Sequence, residues 1–342
     1  MKIQLVHGFD EIICLENLLE AWQEFLRGKR NKKDVQAFSL GLLDNLLALR
    51  NDLLHGSYKH GGYQAFNISD PKPRSIHKAS VRDRLLHHAI YRILYPFFEK
   101  TFIADSYSCR IGRGTHRASL RFRHFAAIVG KNNTRTCWVL KCDVRKFFAS
   151  VDHNILLAIL REYVPEEKVM GLLEEIVGSF PSGKAGKGLP LGNLTSQLFV
   201  NIYMNRFDQF VKHRLKARFY IRYSDDFVIF SENKQWLKEQ VKLINTFLWR
   251  ELHLELHPGK VSIETLSSGV DFLGTIHFPD HRVLRTKTRR RMFRKLAANN
   301  EQLRNGFLSE ASFGQSLESY RGILSHVNGH RTLRRIGELF PS

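Results

Sequence analysis

Apolar residues recur at helical spacing over residues 11–27 and again over 35–54. In the second stretch Leu42, Leu43, Leu46, Leu47, Leu49, Leu53 and Leu54 are interleaved with Asp44, Asn45, Asn51 and Asp52, which predicts a packing face and no chemistry. Lys59, His60, Gly61 and Gly62 break the pattern, a short strand is expected over 63–68, and Pro71 and Pro73 force an extended path through 71–76. Further helices are predicted over 80–100, 115–129, 153–162, 166–178, 191–212 and 234–252, with Gly112 and Gly114 marking a loop before the second of these. Between them, 136–142 reads as a buried strand ending at Asp143, and 181–188 as a flexible connection. Short strands are expected over 260–263 and 270–273, and from Arg282 onward the chain is basic and mostly helical. The sum is a mixed helix-and-sheet, α+β chain without internal repeats.

One segment departs from simple amphipathicity. In residues 219–230 two adjacent carboxylates, Asp225 and Asp226, stand between apolar strand-like runs. Strand side chains alternate faces, so the two carboxylates converge only at a hairpin turn. At about 4 Å their repulsion costs roughly 1 kcal/mol in water and several at lower dielectric. A solvated acidic hairpin tip is the plain alternative, since Asp is a common turn residue.

Composition narrows the partners. The 342 residues include 43% hydrophobic and 25% charged side chains, a soluble globular balance. Lys and Arg number 53 against 33 Asp and Glu, and the net charge of +20 favours a polyanion, nucleic acid first. No apolar run is long enough to span a bilayer and Met1 to Gln4 show no signal-peptide pattern, so a cytoplasmic location without membrane association is expected. The four cysteines form no CxxC pair. Cys137 and Cys142, an odd spacing apart on the expected strand, point to opposite faces and read as small buried hydrophobes. The 16 histidines show no metal-ligand grouping, and His87 and His88 are expected at the surface of a basic helix.

Asp143 at a strand end, Asp152 beyond it, and the hairpin pair Asp225 and Asp226 together form a set suited to two magnesium ions. One ion would activate an attacking 3′-hydroxyl and the other would hold a triphosphate. Asp143 and Asp225 would bridge, Asp226 would be a weaker ligand, and Asp152 is expected to cap the helix that follows it.

At these residues the chain resembles the reverse transcriptases, over roughly residues 70–330 and with the motifs in the family's order. Residues 71–88, with Lys72, Arg74, Arg82 and Arg84, resemble the fingers motif that grips the triphosphate, and 102–117 the second fingers motif. Residues 141–152 resemble the first palm motif, 222–230 the catalytic hairpin, and 257–260 and 270–274 the later palm motifs. The resemblance implies a right-hand polymerase: a helical N-terminal extension (1–58), fingers (59–136 and 153–190), palm (137–152 and 191–280) and a basic helical thumb (281–342). It implies two Mg²⁺ ions, with Mn²⁺ able to substitute, held by Asp143, Asp225, Asp226 and the Val144 backbone. Lys260 would neutralise or protonate departing pyrophosphate. Lys72, Arg74, Phe148, Leu191, Gly192 and Gln197 would meet the dNTP. Phe148 matches the aromatic gate against a ribose 2′-hydroxyl, with a core phenylalanine as the alternative. Arg113, Arg117, Tyr223, Arg285, Lys287, Arg289, Arg290, Arg291 and Arg294 would contact a template RNA or the RNA/cDNA duplex, mainly through phosphates.

A finer signal lies in residues 188–197. Most reverse transcriptases carry Gln and Pro where this chain has Leu191 and Gln197, and the departure is similar to the enzymes of diversity-generating retroelements. That similarity implies error-prone, adenine-directed cDNA synthesis for mutagenic retrohoming and a small basic accessory protein as partner. Leu191 in place of glutamine would remove about 1–3 kcal/mol of discrimination at the nascent base pair. Ser224 stands where Ala or Met is commoner, with no loss of activity expected. Two alternatives stay open: a defence-associated or group II intron-like enzyme of ordinary fidelity, and a non-catalytic RNA-binding protein on the same scaffold. With the last residue at Ser342, no nuclease segment of an intron enzyme is expected after the thumb, and retention of Asp143, Asp225 and Asp226 weighs against the silent scaffold.

Overall fold

The computed structural model describes residues 3–69 and 73–340. Four helices open the chain: α1 (Phe9–Ile13), α2 (Leu15–Leu26), α3 (Lys33–Leu40) and α4 (Leu42–Leu54). The two helices expected there are each split. Cys14 takes an extended conformation and caps α2 through its thiol, and Gly41 leaves helical geometry between α3 and α4. On α4, Leu46, Leu49 and Leu53 are buried while Leu43, Leu47 and Leu54 are exposed, so the packing face is narrower than the leucine content suggests. These helices are continuous with the main core through α5 (Val81–Glu99), against which α2 packs.

Before α5, strands β1 (Gln64–Ile68) and β2 (Arg74–Lys78) pair as an antiparallel hairpin, Phe66 opposite Ile76. Next come α6 (Thr115–Val129), β3 (Trp138–Asp143), the single-turn α7 (Phe147–Ser150), α8 (His153–Arg161), α9 (Glu167–Gly178) and α10 (Leu194–Gln209). α10 begins later than expected because 188–193 forms a loop, and it ends in a π-turn over Phe210–Arg214. Strands β4 (Tyr220–Tyr223) and β5 (Asp226–Ser231), helix α11 (Lys234–Leu252) and β6 (Ser262–Thr265) complete a four-stranded antiparallel sheet in the order β4-β5-β3-β6.

β3 is its central element and divides two hydrophobic cores. Leu140 and Cys142 enter the larger core with α5, α8 and α10, while Cys137 and Val139 enter the one under α6. Both thiols are buried, which pushes Cys137 up to about 12 and raises Cys142 further. The odd spacing therefore places them as predicted.

A three-stranded antiparallel sheet of β7 (Val270–Phe272), β8 (Thr275–His277) and β9 (Arg282–Leu284) joins this body to the C-terminal helices α12 (Thr286–Arg304), α13 (Glu310–Leu324) and α14 (His330–Leu339). β9 occupies the start of the segment expected to be helical. Its register with β8, Val283 opposite Ile276, satisfies backbone groups that a helix start there would leave unpaired. Among the described residues no helix is long and apolar enough to cross a membrane.

Candidate active site

The sheet register builds the acidic cluster. Asp143 ends β3 directly opposite Asp226, the first residue of β5, so both carboxylates stand on one face. Asp225 lies in the connecting turn, and its carbonyl accepts from the Val144 amide at 3.1 Å. Ser224 adopts a left-handed conformation (φ 59°) to close that turn. Adjacent carboxylates thus meet by hairpin geometry, as the sequence requires.

Their electrostatics are those of clustered carboxylates whose charges repel. Burial raises the Asp225 carboxyl, with Asp143 adding repulsion and Lys260 and Arg74 opposing it. Asp226 is pushed up to about 7 by burial first, then by Asp143 and Asp225, against the relief supplied by Lys141. One Asp226 carboxylate oxygen, Oδ1, is buried without a hydrogen-bond partner among the described residues. Lys260 Nζ lies 2.8 Å from Asp143 Oδ1 and acts as a protein-borne counter-cation. Among the described residues no three His, Cys, Asp or Glu side chains converge closely enough to hold a metal unaided. An all-oxygen set with an orphaned oxygen nevertheless fits a hard divalent ion that completes its shell with water and substrate phosphate. Asp143, Asp225, Asp226 and the Val144 carbonyl are the groups that would hold it.

Asp152 does not join them. It caps α8 by accepting from Asn154 and Ile155 amides at 3.1 and 3.3 Å, and it bonds His253 Nδ1 at 3.0 Å. Burial works to raise its pKa, but the His253 bond and the cap outweigh this and lower it.

The remaining expected contacts sort by position. Arg74, at the start of β2, lines a 600 Å³ cleft together with Gly274, Arg285, Lys287 and Arg291. Lys72 falls outside the described residues. Arg285 is partly committed to Asp271 (2.5 Å), and Arg289, Arg290 and Arg294 are exposed on α12 but do not line the cleft. Arg117 is exposed, Arg113 lies over the Tyr107 ring, and Tyr223 is half-buried against the core under α6.

Phe148 is half-buried on α7, and its carbonyl accepts from the Leu189 amide at 2.8 Å, tying it to the loop that carries Leu191. The Leu191 carbonyl in turn accepts from His77 N on β2 at 3.0 Å. Gly192 has φ +122°, and a Cβ there would meet Ile76 Cγ2 at 3.1 Å, so only glycine fits this approach. Gln197 sits half-buried in the first turn of α10.

Two supports were not legible in the sequence. His87 is buried rather than superficial, because Thr195 Oγ1 (2.7 Å), His60 Nε2 (3.1 Å) and Asn193 Nδ2 (3.3 Å) close around it, and burial lowers its pKa to about 3. His88 is half-buried beside Phe25, and its pKa falls to about 4. The other support is Arg222, fully buried in a two-pronged pair with Asp208 (2.8 and 2.7 Å). It also donates to the Ser224 carbonyl at 3.1 Å and so pins the left-handed turn. Its only sequence signal is an arginine inside an apolar strand, which asks for a buried acid.

A family model for reverse transcriptase (RNA-dependent DNA polymerase) matches residues 66–277, more than half of the chain and including every residue of the acidic cluster. The chain belongs to the reverse transcriptase family. It carries an RNA-directed DNA polymerase domain of the right-hand type, whose members generally use divalent metal ions. Protein YkfC of Escherichia coli (strain K12) is 29% identical over 301 residues, covering 76% of this chain and 75% of that protein. Group II intron-encoded protein LtrA of Lactococcus lactis subsp. cremoris is 24% identical over 291 residues. That match covers 64% of this chain and 46% of LtrA, so the reverse transcriptase spans less than half of that relative. Among solved structures, telomerase from Candida albicans in complex with a fragment of telomeric RNA aligns with 80% of this chain and 57% of its own, at 11% identity and TM-score 0.49.

Proposed function

We propose that this reverse transcriptase copies a template RNA into cDNA in the cytoplasm with two Mg²⁺ ions, Mn²⁺ able to replace them. The observation that carries this reading is the half-buried, mutually repelling set of Asp143, Asp225 and Asp226, with one Asp226 oxygen lacking a hydrogen-bond partner among the described residues. Bound ions would activate the primer 3′-hydroxyl and offset triphosphate charge. Lys260, already beside Asp143, is placed to hold a proton for departing pyrophosphate. Arg74 faces the same cleft as the α12 cations Lys287 and Arg291, which suits a triphosphate at one end and a duplex backbone along the other. In this reading the domain division is that expected from the sequence: extension 1–58, fingers 59–136 and 153–190, palm 137–152 and 191–280, thumb 281–342.

Phe148 is the sugar gate. Its ring is neither deep in the core nor free, and the Leu189 bond fixes its backbone. Phe148→Ala is expected to raise ribonucleotide incorporation relative to deoxynucleotide by about 10- to 100-fold, the effect of about 1–3 kcal/mol of lost steric discrimination. Competitive incorporation of rNTP and dNTP on one primed RNA measures it, and an unchanged ratio would return Phe148 to a packing role.

The finer reading is an error-prone enzyme of the diversity-generating retroelement type, working with a small basic accessory protein. Leu191 supports it, its carbonyl held by the His77 amide and its side chain apolar where most reverse transcriptases carry a glutamine. Deep sequencing of cDNA made from a four-base template RNA by the parent and Leu191→Gln enzymes tests this. Errors concentrated opposite template adenine in the parent, reduced several-fold in the variant, are expected. The likeness to LtrA favours a second reading, an intron-type enzyme of ordinary fidelity, and accurate cDNA from the parent enzyme would establish that one instead.

A further inference from the structure

A second cavity, of 560 Å³, is bordered by Ala149 and Ser150 of α7 and lined by neither Phe148 nor any of Asp143, Asp225 and Asp226. Separated segments of the chain form its walls: Arg145 and Lys146 just after β3, Lys184 and Lys187 in the loop before α10, and Trp249 and Arg250 near the end of α11. Five of the lining side chains are permanent cations, against Glu255 as the one lining carboxylate among the described residues.

The charge is only partly spent within the protein. Arg145 lies 3.5 Å from Glu255, and Lys187 lies 3.8 Å from Asp152, which His253 already occupies at 3.0 Å. Lys146, Lys184 and Arg250 pair with no carboxylate among the described residues. Trp249 is 59% exposed although its neighbours Leu248 and Leu252 are buried. An indole left in water beside a ring of cations is poor packing, but it is a stacking platform next to a phosphate site. An ordinary solvated charged face has neither the concavity nor the aromatic wall.

We propose that this cavity binds a nucleotide outside the acidic cluster, with the base stacked on Trp249 and the phosphates held by Lys146, Lys184, Lys187 and Arg250. The ligand is either a free nucleoside triphosphate or one nucleotide unit of a single-stranded RNA, which share this chemistry. The proposal does not depend on which template the enzyme copies or on its fidelity.

Tryptophan fluorescence of the full-length protein in EDTA, titrated with ATP, tripolyphosphate and oligouridylate, tests it, since without divalent ions the acidic cluster repels triphosphates. Saturable quenching by ATP or by oligouridylate is expected, and it should disappear in Trp249→Phe while Trp22, Trp138 and Trp236 remain. Trp249→Ala should weaken binding of the fluorescently labelled ligand about tenfold, and Lys184→Glu should weaken that ligand and tripolyphosphate alike. Quenching by ATP identifies a free-nucleotide site, and quenching by oligouridylate alone identifies a strand site. Absence of quenching by both ligands, or quenching and affinity unchanged in Trp249→Phe, Trp249→Ala and Lys184→Glu proteins that melt like the parent, would overturn the proposal.

Discussion

Asp225→Asn lowers metal-dependent primer extension by at least about a thousandfold, equivalent to about 4 kcal/mol of transition-state stabilisation, and Asp226→Asn makes the metal-free protein more stable while also impairing synthesis. Both results follow from one arrangement. Asp226 is half-buried opposite Asp143 with Asp225 half-buried in the adjoining turn, and their pKa values are raised because folding takes them out of water and next to like charge. Removing a charge relieves that repulsion and, in the proposed function, removes a metal ligand. The sign can be followed with pH. A raised carboxyl stays protonated on folding after the unfolded chain has ionised, so its stability contribution is complete below about pH 4 and is lost as pH rises to about 7. The gain from Asp226→Asn is therefore near zero at pH 4 and reaches a few kcal/mol at pH 7 and above. Comparing melts of parent and variant in EDTA across this range cancels the buried histidines, whose lowered pKa values act in the opposite direction. A gain independent of pH would place its origin elsewhere.

Asp208→Ala costs about 3–5 kcal/mol of folding stability, the penalty for leaving a buried guanidinium without its partner. Arg222 and Asp208 are both fully buried, and Tyr220 also donates to Asp208 at 2.7 Å, so no solvent is available to replace the lost carboxylate. The double variant Arg222→Met with Asp208→Leu should recover most of that stability, because burying two apolar side chains avoids the desolvation of both ions. It should not recover full activity, since the Ser224 carbonyl loses its donor and the left-handed turn that places Asp225 loses its pin. Urea melts together with primer extension separate the two roles. Equal recovery of both would reduce the pair to a packing element.

Local signals carried the acidic hairpin. Alternation of faces, an acidic turn and apolar flanks suffice to bring Asp225 and Asp226 together, whereas Asp143 joined them through the resemblance to the reverse transcriptases and not through local pattern. Odd spacing alone separates Cys137 from Cys142. The Asp152 cap was equally readable, being an Asp immediately before a helical pattern. What stayed hidden depends on partners distant in sequence. His87 reads as a surface residue on its own helix, and only Thr195 and Asn193, about a hundred residues later, make a polar cage for it. Arg222 needed Asp208 from the preceding helix, and β9 needed β8 to convert a basic stretch into a strand. Helix breaks at Cys14 and Gly41 were missed because hydrophobic periodicity continues across a one-residue interruption.

The β1–β2 hairpin carries Arg74 at one end of its second strand, facing the cleft, and His77 further along, whose amide holds Leu191. In the proposed reading, in which Arg74 grips phosphate and Leu191 meets the base, that backbone bond ties the two through one hairpin. On that reading, substrate admission and base-pair inspection would be coupled through one backbone, and not carried out as separate steps.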